Sequence, residues 1–297
     1  MRMRTILVIA AAAVLPALAG GCGGSSRSSD RLDVVAAENV YGNIAAQIGG
    51  SDVSVTSILT NPNADPHLFA PGTATGLAVA KAKVLIENGL DYDAFMTRLE
   101  NAAPSKSRIV VTLAAVLGIQ GNDANPHLWY DVPQLDKVAA AIAGALAQAD
   151  PSHAAAYRTG LHRFERSLAP LRREVASIGS RFPLAPVAYT EPVPGYLVAA
   201  AGLRNLAPDS FTRPIEQGTE PSPAAVAAMD ALVAQHRIRV LLYNSQAVSP
   251  ITARLRAAAT AAGIPVGPVT ETLPPHLTFQ QWQLGQARAI AAALATP

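Results

Sequence analysis

The chain has 297 residues, half of them hydrophobic, which is enough for a signal segment and two lobes of ordinary size. A net charge of +2 with no stripe of Lys or Arg argues against a nucleic-acid surface, and an aromatic content of 5% argues against a stacking platform for sugars or bases. A single cysteine allows no intramolecular disulfide, so the fold must rest on its own core.

The first thirty residues read as lying outside the fold. Arg2 and Arg4 precede an apolar run, Ile6 to Leu18, which is too short to span a membrane and has the order of a secretory signal. The expected division is a signal over residues 1–21, Cys22 with a Gly/Ser-rich tether over 22–31, an N-terminal α/β lobe over 32–149, a linking helix over 150–182 and a C-terminal α/β lobe over 183–297. From residue 32, short β-branched runs alternate with helical stretches. Strands are predicted over 33–37, 53–59, 84–87 and 108–112, with helices over 39–48, 73–82, 91–102 and 133–148. A long amphipathic helix then opens at Asp150-Pro151 and extends to about Phe182, interrupted at Pro170. Beyond it the alternation resumes, with strands over 187–190, 240–243 and 265–270 and helices over 195–201, 223–236, 250–262 and 279–294. The pattern implies two Rossmann-like α/β lobes with parallel sheets, joined by one long helix.

Two near-identical motifs carry the chemistry: Asp65-Pro66-His67-Leu68 and Asn125-Pro126-His127-Leu128. Proline fixes its own φ and holds the preceding residue extended, and Asp or Asn there favours a local turn. Each imidazole is therefore presented on a stiff loop. Both loops follow strands, and ligands of open α/β sheets bind beyond the carboxyl ends of the strands. By the same rule Glu191 and Glu271 leave strands of the second lobe toward the same cleft. Two imidazoles and two carboxylates without a thiolate suit one divalent first-row ion, Zn2+ or Mn2+. His276 is close in sequence to Glu271 and is read as an extra ligand or a lid residue. His153, His162, Glu216 and Glu220 are read as solvated.

Leu18-Ala19-Gly20-Gly21-Cys22 resembles the lipobox of bacterial lipoproteins, although the large aliphatic residue stands one place early; an ordinary cleaved signal is the alternative. The two His motifs, with Glu38-Asn39-Val40-Tyr41-Gly42, Glu87-Asn88-Gly89-Leu90 and Asn125 to Asp131, resemble the zinc/manganese solute-binding lipoproteins of bacterial ABC importers from about residue 33 onward. The resemblance places the third ligand five residues before Tyr196, at Glu191, and the fourth at Glu271. Zinc-specific relatives commonly carry His at the third position and often a His-rich loop between the first two ligands; this chain has neither.

The resemblance implies a receptor rather than an enzyme. It would capture one metal ion at the outer face of the cytoplasmic membrane, anchored through Cys22, and deliver it as a monomer to a permease driven by an ATPase. Release would combine modest rocking of the lobes with movement of the Glu271–His276 loop. A metal-dependent hydrolase using the same residues and a surface adhesin are the alternatives.

Overall fold

The structure, a computed structural model, describes residues 31–61, 69–121 and 123–296. The expected signal, Cys22 and His67 lie outside the described residues. From Arg31 onward the chain forms one compact unit.

The first sheet contains β1 (Leu32–Glu38), β2 (Val53–Leu59), β3 (Val84–Glu87) and β4 (Ile109–Thr112), with α1 (Asn39–Gly49), α2 (Thr73–Lys81), α3 (Phe95–Ala102) and α4 (Leu113–Leu117). Then come α5 (Leu135–Ala149), α6 (Ala154–Ser167) and α7 (Ala169–Arg181). The second sheet contains β5 (Pro186–Tyr189), β6 (Arg204–Asn205), β7 (Val240–Asn244) and β8 (Val266–Val269). Its helices are α8 (Gly195–Ala200), α9 (Asp209–Glu216), α10 (Pro223–Ala234), α11 (Pro250–Ala261) and α12 (Phe279–Ala295).

The strand orders are β2-β1-β3-β4 and β6-β5-β7-β8. Every pairing is parallel, as the alternation of strands and helices required. In both sheets the order reverses beside the first strand, between β1 and β3 and between β5 and β7. These switch points leave crevices at the carboxyl ends of the strands. Glu38 and Asn88 stand at the first, Thr190 and Asn244 at the second, and all four are buried.

Three apolar layers cover the sheets. One lies under α2 and α3, with Val35, Leu85 and Met96; a second lies under α9, α10 and α11, with Phe211, Met229 and Leu255. The third is continuous between the sheets. It joins Ile44, Trp129 and Ile142 of the first half to Leu197, Leu242, Phe279 and Ile290 of the second. The two lobes therefore share a core along their inner helices.

Helix ends follow local chemistry. Ser222 caps α10 and Ser249 caps α11, each followed by a proline in the first turn; Thr278 and Gln281 form a capping box on α12. The expected single linking helix is instead two helices. The break falls at Leu168 rather than Pro170, and Pro170 sits in the first turn of α7, where its missing N–H does no harm. Each piece serves one lobe, with α6 on α1 and α5 and α7 on α12 and α8. A Cβ at Gly160 of α6 would stand 2.1 Å from the Ile48 carbonyl oxygen, so only glycine permits this approach.

Three elements were not anticipated from sequence. The helix α4 has five residues and β6 has two, too few for a periodic pattern. The helix α9 contains Pro214, which reads as a breaker. One expected helix starts late: α3 begins at Phe95 rather than Asp91, because Gly89, Leu90 and Asp91 have φ of +81°, +57° and +61°.

Candidate metal centre

His127 follows β4 and α4 and is completely buried. Asn125 shapes its loop as the Asx-Pro reading requires: Oδ1 accepts from the His127 backbone N–H at 3.0 Å and faces the ring Nδ1 at 2.8 Å. An amide oxygen only accepts, so Nδ1 carries the hydrogen and a neutral ring keeps its lone pair on Nε2. Edge-on aromatic contacts fix the ring plane, with Trp129 at 5.3 Å and Tyr92 at 5.6 Å between centroids. Asn125 Nδ2 donates across to the Pro192 carbonyl at 2.7 Å, beside Glu191. A Cβ at Gly195 would approach that amide nitrogen to 2.8 Å, which explains the glycine.

Glu191 and Glu271 leave β5 and β8 and are both buried. Asn244, the last residue of β7, lies between them; its Nδ2 donates to Glu191 Oε2 and, at 2.7 Å, to Glu271 Oε1. Glu271 Oε2 accepts from the Tyr92 hydroxyl at 2.8 Å and faces His127 Nε2 at 3.1 Å. Burial and the charge of Glu271 raise the Tyr92 pKa far enough to keep the phenol a donor. The Glu271 backbone is held as well. Gln246 Oε1 accepts from the N–H groups of Glu271 and Thr272, and Asn39 exchanges two hydrogen bonds with Leu273.

His127 Nε2 thus points from the first lobe at a carboxylate of the second. Burial works to lower the His127 pKa. The charge of Glu216 and the hydrogen bond and charge of Glu271 outweigh it and leave the pKa raised. Glu216 was expected to be solvated on a loop. It ends α9 with Oε2 3.7 Å from His127 Nε2, and its side chain is only 13% exposed, so the reading of Glu216 as solvated is corrected. Glu220 is exposed as expected. His276 is exposed, in a left-handed conformation (φ +67°), and lines a separate cavity with Asn39, Asn43 and Ser57. No hydrogen bond among the described residues joins it to His127, Glu191 or Glu271.

Among the described residues, no three of His, Cys, Asp and Glu are gathered tightly enough to hold an ion. Asn244 links Glu191 to Glu271, and Glu271 meets His127; His67 lies outside the described residues. The donors are nitrogen and oxygen only, which fits a divalent first-row ion better than a soft one.

A protein-family profile described as "Zinc-uptake complex component A periplasmic" matches residues 34–293. The chain belongs to this family. Among curated relatives, the manganese-binding lipoprotein MntA of Bacillus subtilis is 29% identical over 171 residues, which cover 53% of this chain and 56% of the relative. A putative metal-binding protein of Treponema pallidum is 26% identical over 197 residues, covering 59% and 62%. The chain thus spans little more than half the length of the curated relatives it matches. Among solved structures, the periplasmic zinc-binding protein TroA of Treponema pallidum aligns with a TM-score of 0.77 at 19% identity, over 89% of this chain and 99% of that one. A structure named ZnuA aligns at 0.73 and 20%, over 90% and 100%. These two likenesses establish the shared two-lobed fold.

Within this zinc-uptake component A fold, the residues that sequence reasoning passed over are those that orient its chosen ones. Asn244 and Gln246 stand at the exit of β7, so the strand-end rule that found Glu191 and Glu271 reaches them too. Asn125 was visible as a turn former but not as a bridge between lobes. Tyr92 carries no metal signal of its own; only the fold brings it to Glu271.

Proposed function

We propose that this protein is the extracytoplasmic receptor of a metal importer, binding one divalent transition-metal ion, Zn2+ or Mn2+, and handing it to an ABC permease driven by its ATPase. The ion is cargo, and the reading involves no catalysis. The carrying observation is the meeting of buried His127, on a loop of the first lobe, with buried Glu271, on a loop of the second. Membership of the zinc-uptake family supports it, as do relatives named for manganese. In this reading His67, His127, Glu191 and Glu271 are the ligands, and Asn125, Tyr92 and Asn244 orient them. The chain acts as a monomer, tethered by lipid at Cys22 to the outer face of the cytoplasmic membrane. No helix of the described residues is long and apolar enough to cross a membrane.

Equilibrium titration of the metal-stripped chain with Zn2+ and with Mn2+ tests the reading. One ion per chain is expected, and Glu191→His should raise the ratio of zinc to manganese affinity, because imidazole replaces a hard carboxylate. No saturable binding would refute the receptor reading. An unchanged ratio would remove Glu191 from the ligand set.

A further inference from the structure

The helix α9 brings two side chains of one face, Arg213 and Glu216, back onto the loop that carries His127. Arg213 Nη1 pairs with Asp123 Oδ1, and its Nη2 donates to the Asp123 carbonyl at 3.3 Å. One turn further on, Glu216 reaches His127 Nε2. Three features of the sequence create this placement. Pro208 leads into the helix, Pro214 stiffens it, and Gly218 in a left-handed turn (φ +65°) ends it just beyond Glu216. The opposite face of α9 is fixed in the second lobe through buried Phe211 and Ile215.

Glu216 also opens outward. With Gln217 it lines a cavity of about 660 Å³ whose other walls include Leu90, Tyr92 and Pro126. Tyr92 is the donor to Glu271, and Pro126 precedes His127. The cavity therefore runs to the edge of the candidate site. Two carboxylates stand in its wall, Asp91 and Glu216, and of these Glu216 is the one that meets His127; Glu191 and Glu271 are buried and outside the lining.

We propose that Glu216 is a further metal-contacting carboxylate, which meets the cargo ion from the cavity and stays beside His127 as an added oxygen ligand. This inference rests on the receptor reading above. An imidazole with two carboxylates already suits zinc or manganese; a further oxygen donor raises the coordination number and moves the balance toward manganese. The pair between Arg213 and Asp123 is largely solvated, so it guides α9 rather than anchoring the fold.

The test compares wild type, Glu216→Gln and Glu216→Asp by titration with Zn2+ and Mn2+ and by the visible absorption of the Co2+-loaded chain. Wild type should bind one ion; if it binds none, the receptor reading itself fails, independently of Glu216. Glu216→Gln should still bind one ion, lose about tenfold or more in manganese affinity and lose less for zinc. Its Co2+ absorption should intensify as the coordination number falls. Glu216→Asp keeps the charge with a shorter reach and should fall between the two. The inference is overturned if Glu216→Gln leaves affinities and Co2+ absorption unchanged. It is equally overturned if both metals weaken by one factor with an unaltered Co2+ spectrum, since Glu216 would then act only through the field at His127. Matching thermal unfolding of the metal-free variants establishes that each is folded.

Discussion

One carboxylate holds the most contorted backbone near the candidate site. Gly89, Leu90 and Asp91 follow one another with positive φ, a conformation that side-chain-bearing residues rarely adopt. Asp93 stabilises it by accepting from the Asn88 N–H at 2.6 Å and the Gly89 N–H at 3.0 Å, which leaves Tyr92 facing Glu271. Asn88 extends the support, accepting from the Tyr41 hydroxyl at 2.6 Å and donating to the Pro126 carbonyl at 2.8 Å, directly before His127. Burial, and then the charge of Glu87, push the Asp93 pKa up to about 7, although the two N–H donors pull it down. The pKa of buried Glu38 is raised as well, by burial and by Asp93. A carboxyl whose folded pKa is raised binds its proton more tightly in the folded state. Its contribution to stability is full below pH 4 and is lost as pH rises toward 7, by at most about 4 kcal/mol for Asp93. The unfolding temperature of the metal-free protein should therefore decline from pH 5 to pH 8. Asp93→Asn cannot ionise and should flatten that decline, whatever it costs uniformly at all pH values. Parallel profiles for the two proteins would show that Asp93 does not titrate in this range.

At the scale of elements, the close approach of α6 to α1 gives a prediction of opposite signs at two helical glycines. Gly160→Ala puts a methyl group into the Ile48 backbone and should destabilise by about 3 kcal/mol in urea unfolding. Gly144→Ala on α5 meets nothing within 4 Å and should stabilise by up to about 1 kcal/mol through helix propensity. If Gly160→Ala were as well tolerated, α6 would not dock as described. Apart from α4, β6, α9 and the division of the linking helix, the order of strands and helices was legible in the sequence, as were the parallel pairing and the strand-exit positions of Glu191 and Glu271. They depend on periodicity and on proline, which act locally. Glu216 was not legible, because Pro214 and the following Gly218 disguise a helix as a loop. The break falls at Leu168, two residues before the expected Pro170, because a proline in a first turn begins a helix rather than ending one. Asn244 and Tyr92 were invisible for a different reason. An amide and a phenol gain their roles only from partners 27 and 179 residues away.

Across the whole molecule, the inner core and a line of polar contacts bind the lobes together. Asn39 pairs with Leu273, Asn43 Oδ1 accepts from the Phe279 N–H, Gln47 meets Gln280, and the Tyr130 hydroxyl donates to the Thr270 carbonyl. Thr270 through Leu273 are pinned at every residue, so the expected movement of the Glu271–His276 loop is confined to its exposed second half. Large hinge opening would expose the shared core, which favours small rocking instead. In the proposed receptor, donors from both lobes converge on one ion at this seam. The direct measurement is a crystal structure of the chain grown with one equivalent of Mn2+ or Zn2+, with anomalous scattering recorded at the edge of that metal. A single strong peak is expected at about 2.0–2.2 Å from His127 Nε2 and from oxygens of Glu191 and Glu271. A metal-loaded crystal whose anomalous peak lies elsewhere, or touches residues of one lobe alone, would contradict it.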